Sequence, residues 1–527
     1  MDASNPAAVV TPPLTAEQRP VPVRALALDA FRGIAILLMC LSGRIQNGAL
    51  SLPAWMYHAQ NPPPDEALNR QVAGFTWVDL IFPMFLFSMG VAIPFAMSGK
   101  LAKGVPQWRL ALGAFGRMFS LVAFAIYFDH VTPGIFLLES PVVRAIAAMG
   151  MEPSTAKWIV GLIGFAILFP IYMRFPVQWK PAVQWSIRCA GIVLAILLLS
   201  GLLYKGPNGT MVGVDLARSN IILVVLGNMA FFGTTVWLLT RGSALLRLLV
   251  TALFVAALLE FQREHSILKP ILQPDAAFGI PAFLQRLTGK QNFLWLYNFT
   301  FLKYLTVVLP GTIIGEMLMR WMKNPMLSEE HDKSRAKLLL VSFLITGAVI
   351  YLHICLQSRW MGAAWATGIA STFGVYLWMY DRPTPTRRLI RTMIGWAGIW
   401  LVVGLLLDPT EGGIRKTPLP EVAYNFSYCF VSLGISILLL AALTIWMDIL
   451  GRKNWFWLFV DNGQNPMLAY IGINNLMTPI VVLTGVSALA KTLFLSPWTM
   501  FHYSLFTTLL LALLTCAFTR ARVIWRT

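Results

Sequence analysis

Charge is what this chain is short of. Asp, Glu, Lys and Arg make up 12% of its 527 residues, where an ordinary soluble protein carries about 25%. Histidine is scarcer, at six, and cysteine stands at five. Cys40, Cys189, Cys355, Cys429 and Cys516 lie in or beside apolar runs, with no CxxC pair and no metal-ligand spacing. They read as buried free thiols, and no metal site is expected. No Walker loop, GxSxG elbow or HExxH motif occurs, so ATP hydrolysis and serine or zinc hydrolysis have no support. The stretch MDASNPAAVVTPPLTAEQRPVPV lacks the charged start and apolar core of a signal peptide. Residues 1–23 are predicted to be a disordered cytoplasmic tail.

Apolar surface is abundant. The hydrophobic fraction is 57% and the mean hydropathy +0.67. Runs such as IILVVLGNMAFFGTTVWLL are long enough to cross a bilayer as helices. They are continuous, whereas strands of a closed barrel would alternate apolar and polar. The expected fold is an all-α, polytopic membrane helix bundle. Spans are predicted near 26–46, 75–97, 109–128, 156–173, 185–204, 219–240, 243–260, 302–320, 336–355, 362–380, 388–407, 424–447, 464–484 and 500–518. That makes about fourteen transmembrane helices, with a range of 11–14, in one domain over residues 24–527.

The net charge of +18 follows this plan. Alternate loops hold the cations, as in Lys100, Lys103 and Arg109, then Arg382, Arg387, Arg388 and Arg391, then Arg520 and Arg522. The remaining loops are poorer in cations or offset by acids such as Asp408 and Glu411. Cytoplasmic loops concentrate Lys and Arg, so both termini are predicted to be cytoplasmic. No basic stripe interleaved with aromatics stands clear of the spans, and nucleic acid is not an expected partner. Three long polar loops, near 47–74, 261–301 and 408–423, then face outside. The second contains IPAFLQRLTG, which reads as a short helix.

A few polar residues stand out against this background. His58, in WMYHAQNPPP, lies in the first outer loop and can accept a proton near neutral pH. Asp79, in FTWVDLIFP, lies near the outer end of the second span, where an ionisable group is a functional candidate. It can orient the imidazole and stabilise its protonated form. Interfacial placement alone also accounts for each. Asp29 and Arg32, in LDAFRG, are spaced to pair on one helix face at the cytoplasmic end of the first span. Arg32 can equally meet an anion such as a phosphate. Glu316, Asn465, Asn474 and Asn475 lie within spans, as helix-bonding groups or as the lining of a polar path. Glu411, Arg415 and Lys416, in EGGIRKTP, read as solvated loop charges or as cations presented by a tight glycine turn.

In combination, LALDAFRGIAILLM, the His-Ala loop and GFTWVDLIFPMFLFSMG resemble the heparan-α-glucosaminide N-acetyltransferase family of membrane acyltransferases, in its bacterial branch. The resemblance continues through GTIIGEMLM, EGGIRKTP and NGQNPMLAYIG. It implies transfer of an acetyl group from cytoplasmic acetyl-CoA to a sugar amine across the membrane. It assigns His58 as the essential histidine, with Asp79 beside it. It also matches Asp29, Arg32, Lys416 and Asn465 to family positions, which are expected to serve the donor. Two helix pairs, near 219–260 and 336–380, look inserted, and Ser42 stands where the animal enzyme carries an asparagine. The implied setting is a bacterial inner membrane. The expected partners are the bilayer and a sugar or glycan acceptor, with a second copy of the chain left open. The competing reading is an inner-membrane transporter for N-acetylglucosamine or a related sugar.

Overall fold

The computed structural model describes residues 24–45, 52–64, 67–206, 209–272, 296–323, 332–380, 384–417, 425–493 and 496–525. The tail 1–23 and the IPAFLQRLTG segment lie outside the described residues. The chain is an all-α membrane helix bundle. Twelve described helices are long and apolar enough to cross a bilayer. They are α2 (Trp77–Ala102), α3 (Gln107–His130), α4 (Pro153–Tyr172), α5 (Pro181–Ser200), α6 (Ile221–Thr240), α7 (Ala244–Phe261) and α8 (Leu305–Met322 with its 3₁₀ lead-in). The series continues with α9 (Asp332–Gln357), α11 (Pro385–Thr410), α12 (Phe426–Thr444, closed by a π turn), α14 (starting Pro466–Gly472) and α15 (Pro497–Arg520).

Two further expected spans are also helical. The first, α1 (Leu26–Ser42), has 17 residues and falls just short in length. The other, α10, runs Met361–Ile369, passes through a π turn at Ala370–Gly374 and ends Val375–Trp378. All fourteen predicted spans therefore coincide with helices. The predicted span at 464–484 is preceded by a separate short helix, α13 (Trp457–Gln464), broken from α14 at Asn465. Strand content among the described residues is one hairpin, β1 (Tyr204–Lys205) with β2 (Met211–Val212).

The centre of the bundle is built on close helix crossings. α1 packs on α13, α2 on α8, α3 on α6 and α11 on α12. Glycines permit the first two. A Cβ on Gly33 or Gly463 would overlap the facing backbone carbonyl of Phe459 or Asp29, and one on Gly90 or Gly315 would overlap Val308 or Val91. Without lipid-driven attraction between helices, such close backbone approach is what holds them together. α12 is buried along almost its whole length. α5 instead exposes Trp185, Ile192, Val193, Ile196 and Leu197, as a lipid-facing helix should. The two expected insertions are helix pairs, α6–α7 and α9–α10. α6 is not peripheral, since it packs against α2, α3 and α8.

Candidate active site

The loop between α1 and α2 is fixed before it presents His58. Met56 and Tyr57 bury with Ile45 and Leu52 in a small apolar cluster against Trp77 and Phe501. The Tyr57 hydroxyl accepts the Leu52 amide at 3.1 Å, and Thr76 Oγ1 donates to the Tyr57 carbonyl at 2.8 Å. Thr76 is the N-cap of α2, with Asp79 at N3 completing a capping box. One carboxylate thus serves two purposes. Asp79 Oδ2 accepts from the Thr76 amide (3.0 Å) and the Ala59 amide (3.2 Å), and shares the Thr76 hydroxyl proton (3.1 Å) with the Tyr57 carbonyl. Its Oδ1 lies 2.7 Å from His58 Nδ1. The Asp79 side chain is fully buried, whereas the His58 side chain is 34% exposed.

A carboxylate only accepts, so the Nδ1 of His58 carries the proton and Nε2 presents a lone pair. Lys416 Nζ lies 3.0 Å from Nε2. The lysine arrives on the EGGIRK turn. Gly412 and Gly413 adopt φ of 70° and 109°, a left-handed conformation that favours glycine. Arg415 donates to the carbonyls of Gly412, Gly413 and Gln71. Gln60 clamps the turn to the His58 loop. Its amide accepts from Lys416 N at 3.0 Å and donates to Val72 O and Gly74 O. Arg359 and Asp408 form a two-pronged ion pair at 2.7 and 2.9 Å behind the turn, and Asp408 also accepts the Ile414 amide. Glu411 accepts from the Phe426 and Ser427 amides at the start of α12. The expected alternative of solvated loop charges does not hold, because Glu411 and Arg415 are buried.

Burial lowers the Lys416 ammonium below its usual range; Asp79 opposes the shift and Lys303 adds to it. Burial raises the Glu411 carboxyl to about 7, against the two amides that favour its charged form.

His58 and Lys416 open onto a cavity of about 230 Å³ with Ser42, Phe82, Tyr470 and Asn474. A second cavity, about 240 Å³, lies further along the same helices and holds Arg32 and Arg117 among apolar side chains. Arg32 also reaches Gly463 O at 3.4 Å and Asp29 at 3.7 Å, while Asp29 takes Arg24 at 2.6 Å. Asp29 therefore sits behind Arg32 as its counter-ion.

Other predicted positions fall elsewhere. Asn465 is fully buried, and both ends of its amide are used on the C-terminal segment: Nδ2 donates to Val523 O (2.8 Å) and Oδ1 accepts Trp525 N (3.1 Å). It meets neither cavity among the described residues. Glu316 pairs with buried Arg247 (2.8 Å) and accepts Trp237 Nε1 (2.7 Å), joining α6, α7 and α8 away from His58. Asn474 lines the His58 cavity, and Asn475 accepts from Thr132. Sequence reasoning missed Gln60, Thr76 and Arg117. A Thr-x-x-Asp start to α2 and an arginine inside LGAFGRMFSLV were the available signals.

Fold and site together define a multi-pass helical membrane protein with a histidine–carboxylate–lysine cluster at one end of the bundle. A family model described as a domain of unknown function, DUF5009, matches residues 24–318, more than half of the chain. The chain belongs to that family. No curated protein matches it.

Proposed function

We propose that the protein is an acyltransferase of a bacterial inner membrane. It takes an acetyl group from cytoplasmic acetyl-CoA and delivers it to an amino sugar or glycan hydroxyl on the periplasmic side. The observation that carries this reading is the pair of cavities along one set of helices. One holds two arginines suited to phosphates. The other holds an imidazole whose Nε2 faces the cavity beside Lys416 and takes a proton or an acyl group once the lysine turns to the substrate oxygen. Phe82 and Phe85 on α2, Ile222 and Leu226 on α6, and Tyr470 and Met467 on α14 border the two cavities in turn. The nearest lining residues are offset by one helical turn, about 5 Å. A slender pantetheine arm, anchored by its nucleotide at Arg32 and Arg117, is the kind of group that spans such a gap.

In this reading the thioester carbonyl reaches His58 Nε2. The acceptor nitrogen or oxygen attacks the carbonyl while Nε2 takes its proton, the C–S bond breaks, and the proton passes to the departing thiolate. A variant of the same step has Nε2 attack first and carry the acetyl group. Asp79 holds the ring orientation and stabilises the imidazolium in both. Lys416 supplies a cation beside the oxygen that gains charge. The resemblance to the heparan-α-glucosaminide N-acetyltransferase family supports the donor and the role of His58.

A second reading, a sugar transporter, draws on the break at Asn465 and the π turn Ile473–Met477, which borders the His58 cavity. Discontinuous helices of this kind line transporter substrate sites. One experiment separates the two. Purified protein in lipid is given radiolabelled acetyl-CoA and a panel of amino sugars and oligosaccharides. Label on an acceptor, lost in His58→Ala, supports acyl transfer. Sugar accumulation in vesicles with no CoA binding and no label transfer supports transport and ends the acyltransferase reading.

A further inference from the structure

A further groove lies away from this site, on the outside of α10 and α11. It measures about 650 Å³ and is bordered by Ile369, Phe373, Tyr376, Trp396, Ile399 and Val403. Ile369, Phe373 and Ile399 are exposed. The groove follows from two local features. The π turn Ala370–Gly374 interrupts the α-helical spacing of α10. Gly395 and Gly398 let α11 come close, since a Cβ on Gly398 would stand 2.9 Å from Thr372 and one on Gly395 3.3 Å from the Tyr376 ring.

Length and charge identify what fits there. Along α11 the lining runs from Thr392 to Val403. Eleven residues of helix rise about 16 Å, half of a hydrocarbon core of about 30 Å. That is the depth of one leaflet. One end is basic. The Arg391 guanidinium lies 4.7 Å over the Tyr380 ring and 5.5 Å over Tyr376, which borders the groove. Its Nε is buried with no hydrogen-bond partner. Among the described residues no carboxylate pairs with it. Arg388 is exposed one turn earlier on the same face, and groove-lining Thr392 donates to its carbonyl. The amino-terminal end of α11, a 26-residue helix, adds partial positive charge at the same level.

We infer that the α10–α11 groove is a binding site for an anionic glycerophospholipid, with its acyl chain along Trp396, Ile399 and Val403 and its phosphate at Arg391 and Arg388. An apolar protein face would cover the strip but leave Arg391 without a counter-charge. An anionic lipid supplies both the chain and the charge. This inference is independent of the proposed chemistry.

The test uses full-length protein in nanodiscs and two photoreactive probes, phosphatidylglycerol and phosphatidylcholine with the same diazirine-bearing acyl chain. Cross-linked peptides are mapped by mass spectrometry for wild type, Arg391→Gln and Ile399→Trp. Ile399 is exposed, so the indole fills the groove without entering the core. The expected result is labelling on α10 and α11 that is about fivefold stronger for phosphatidylglycerol, the order of one interfacial cation. Arg391→Gln removes that preference, and Ile399→Trp lowers labelling by both probes. Equal labelling by the two lipids, unchanged in Arg391→Gln, would overturn the headgroup assignment. Labelling elsewhere, or protein–protein cross-links across this face, would overturn the site.

Discussion

His58 is held between a carboxylate and an amine, and the two neighbours do different things. Asp79 sets the tautomer through Nδ1 and at the same time caps α2. Asp79→Asn is therefore expected to lower acetyl transfer by about 10²- to 10⁴-fold, the range of general acid–base effects. It should also lower the thermal transition, because three donors share Oδ2. Measuring both in one preparation tests the double role; a full loss of transfer with an unchanged transition would leave the cap unimportant. Lys416 acts at Nε2 as a cation, and burial brings its titration below the ordinary lysine value of 10.5. Its charge is present below the folded pKa and lost above it. The pH–rate profile should thus fall on the alkaline side before 10.5 in wild type, and that limb should be missing in Lys416→Met. The histidine and aspartate were legible in the sequence because each is a rare polar residue beside apolar runs. Gln60 was not, because a glutamine in a proline-rich loop looks solvated until its two ends are seen bridging Val72, Gly74 and Lys416.

Among the elements, the EGGIRK turn shows how a loop between spans becomes part of the site. Charged residues there looked equally suited to water. Their burial depends on Arg359, in the link between α9 and α10, and on the first amides of α12, which Glu411 accepts; neither contact is visible from the turn's own sequence. Glu411 gives this turn a pH dependence. Its folded pKa, about 7, stands above the ordinary 4.5. Between those values the unfolded chain releases its proton first, so stability falls as pH rises through the window. The thermal transition of wild type should decline from pH 4.5 to 7 relative to Glu411→Gln, whose side chain does not titrate. Parallel curves for the two proteins would remove Glu411 as the cause. Asn465 teaches the opposite lesson. A polar residue in a span looked like a ligand group, yet its amide ties α13 and α14 to the C-terminal segment. Asn465→Ala should cost about 1–3 kcal/mol, the penalty for leaving buried partners unsatisfied. Denaturation in detergent would read this directly. The spans themselves were legible because continuous apolar runs admit few alternatives in a bilayer. The break at Asn465 and the π turns were not, since they depend on tertiary contacts.

At the scale of the whole molecule, the proposed chemistry requires that its two ends face different compartments. Arg32 lies in the second turn of α1, and Ser42 closes that helix beside the His58 cavity. The ten-residue separation corresponds to a rise of about 15 Å, so the arginine and histidine cavities are displaced along the membrane normal. Distribution of cations among the loops predicts that the arginine end faces the cytoplasm. Lys103 follows α2 at that end, and Gln71 precedes it at the other; both are exposed. Single substitutions Lys103→Cys and Gln71→Cys would place thiols on opposite sides of one helix. In spheroplasts, a charged, membrane-impermeant maleimide should modify Gln71→Cys at once and Lys103→Cys only after the membrane is opened. The exposed Cys189 lies within lipid-facing α5, so it is replaced by Ala in both variants, and the Cys189→Ala parent is the control. Equal labelling from outside would break the link between the two cavities and two compartments. The reverse pattern would place His58 with the cytoplasm, and a transfer reaction confined to one side would then be the only acyltransferase compatible with the bundle.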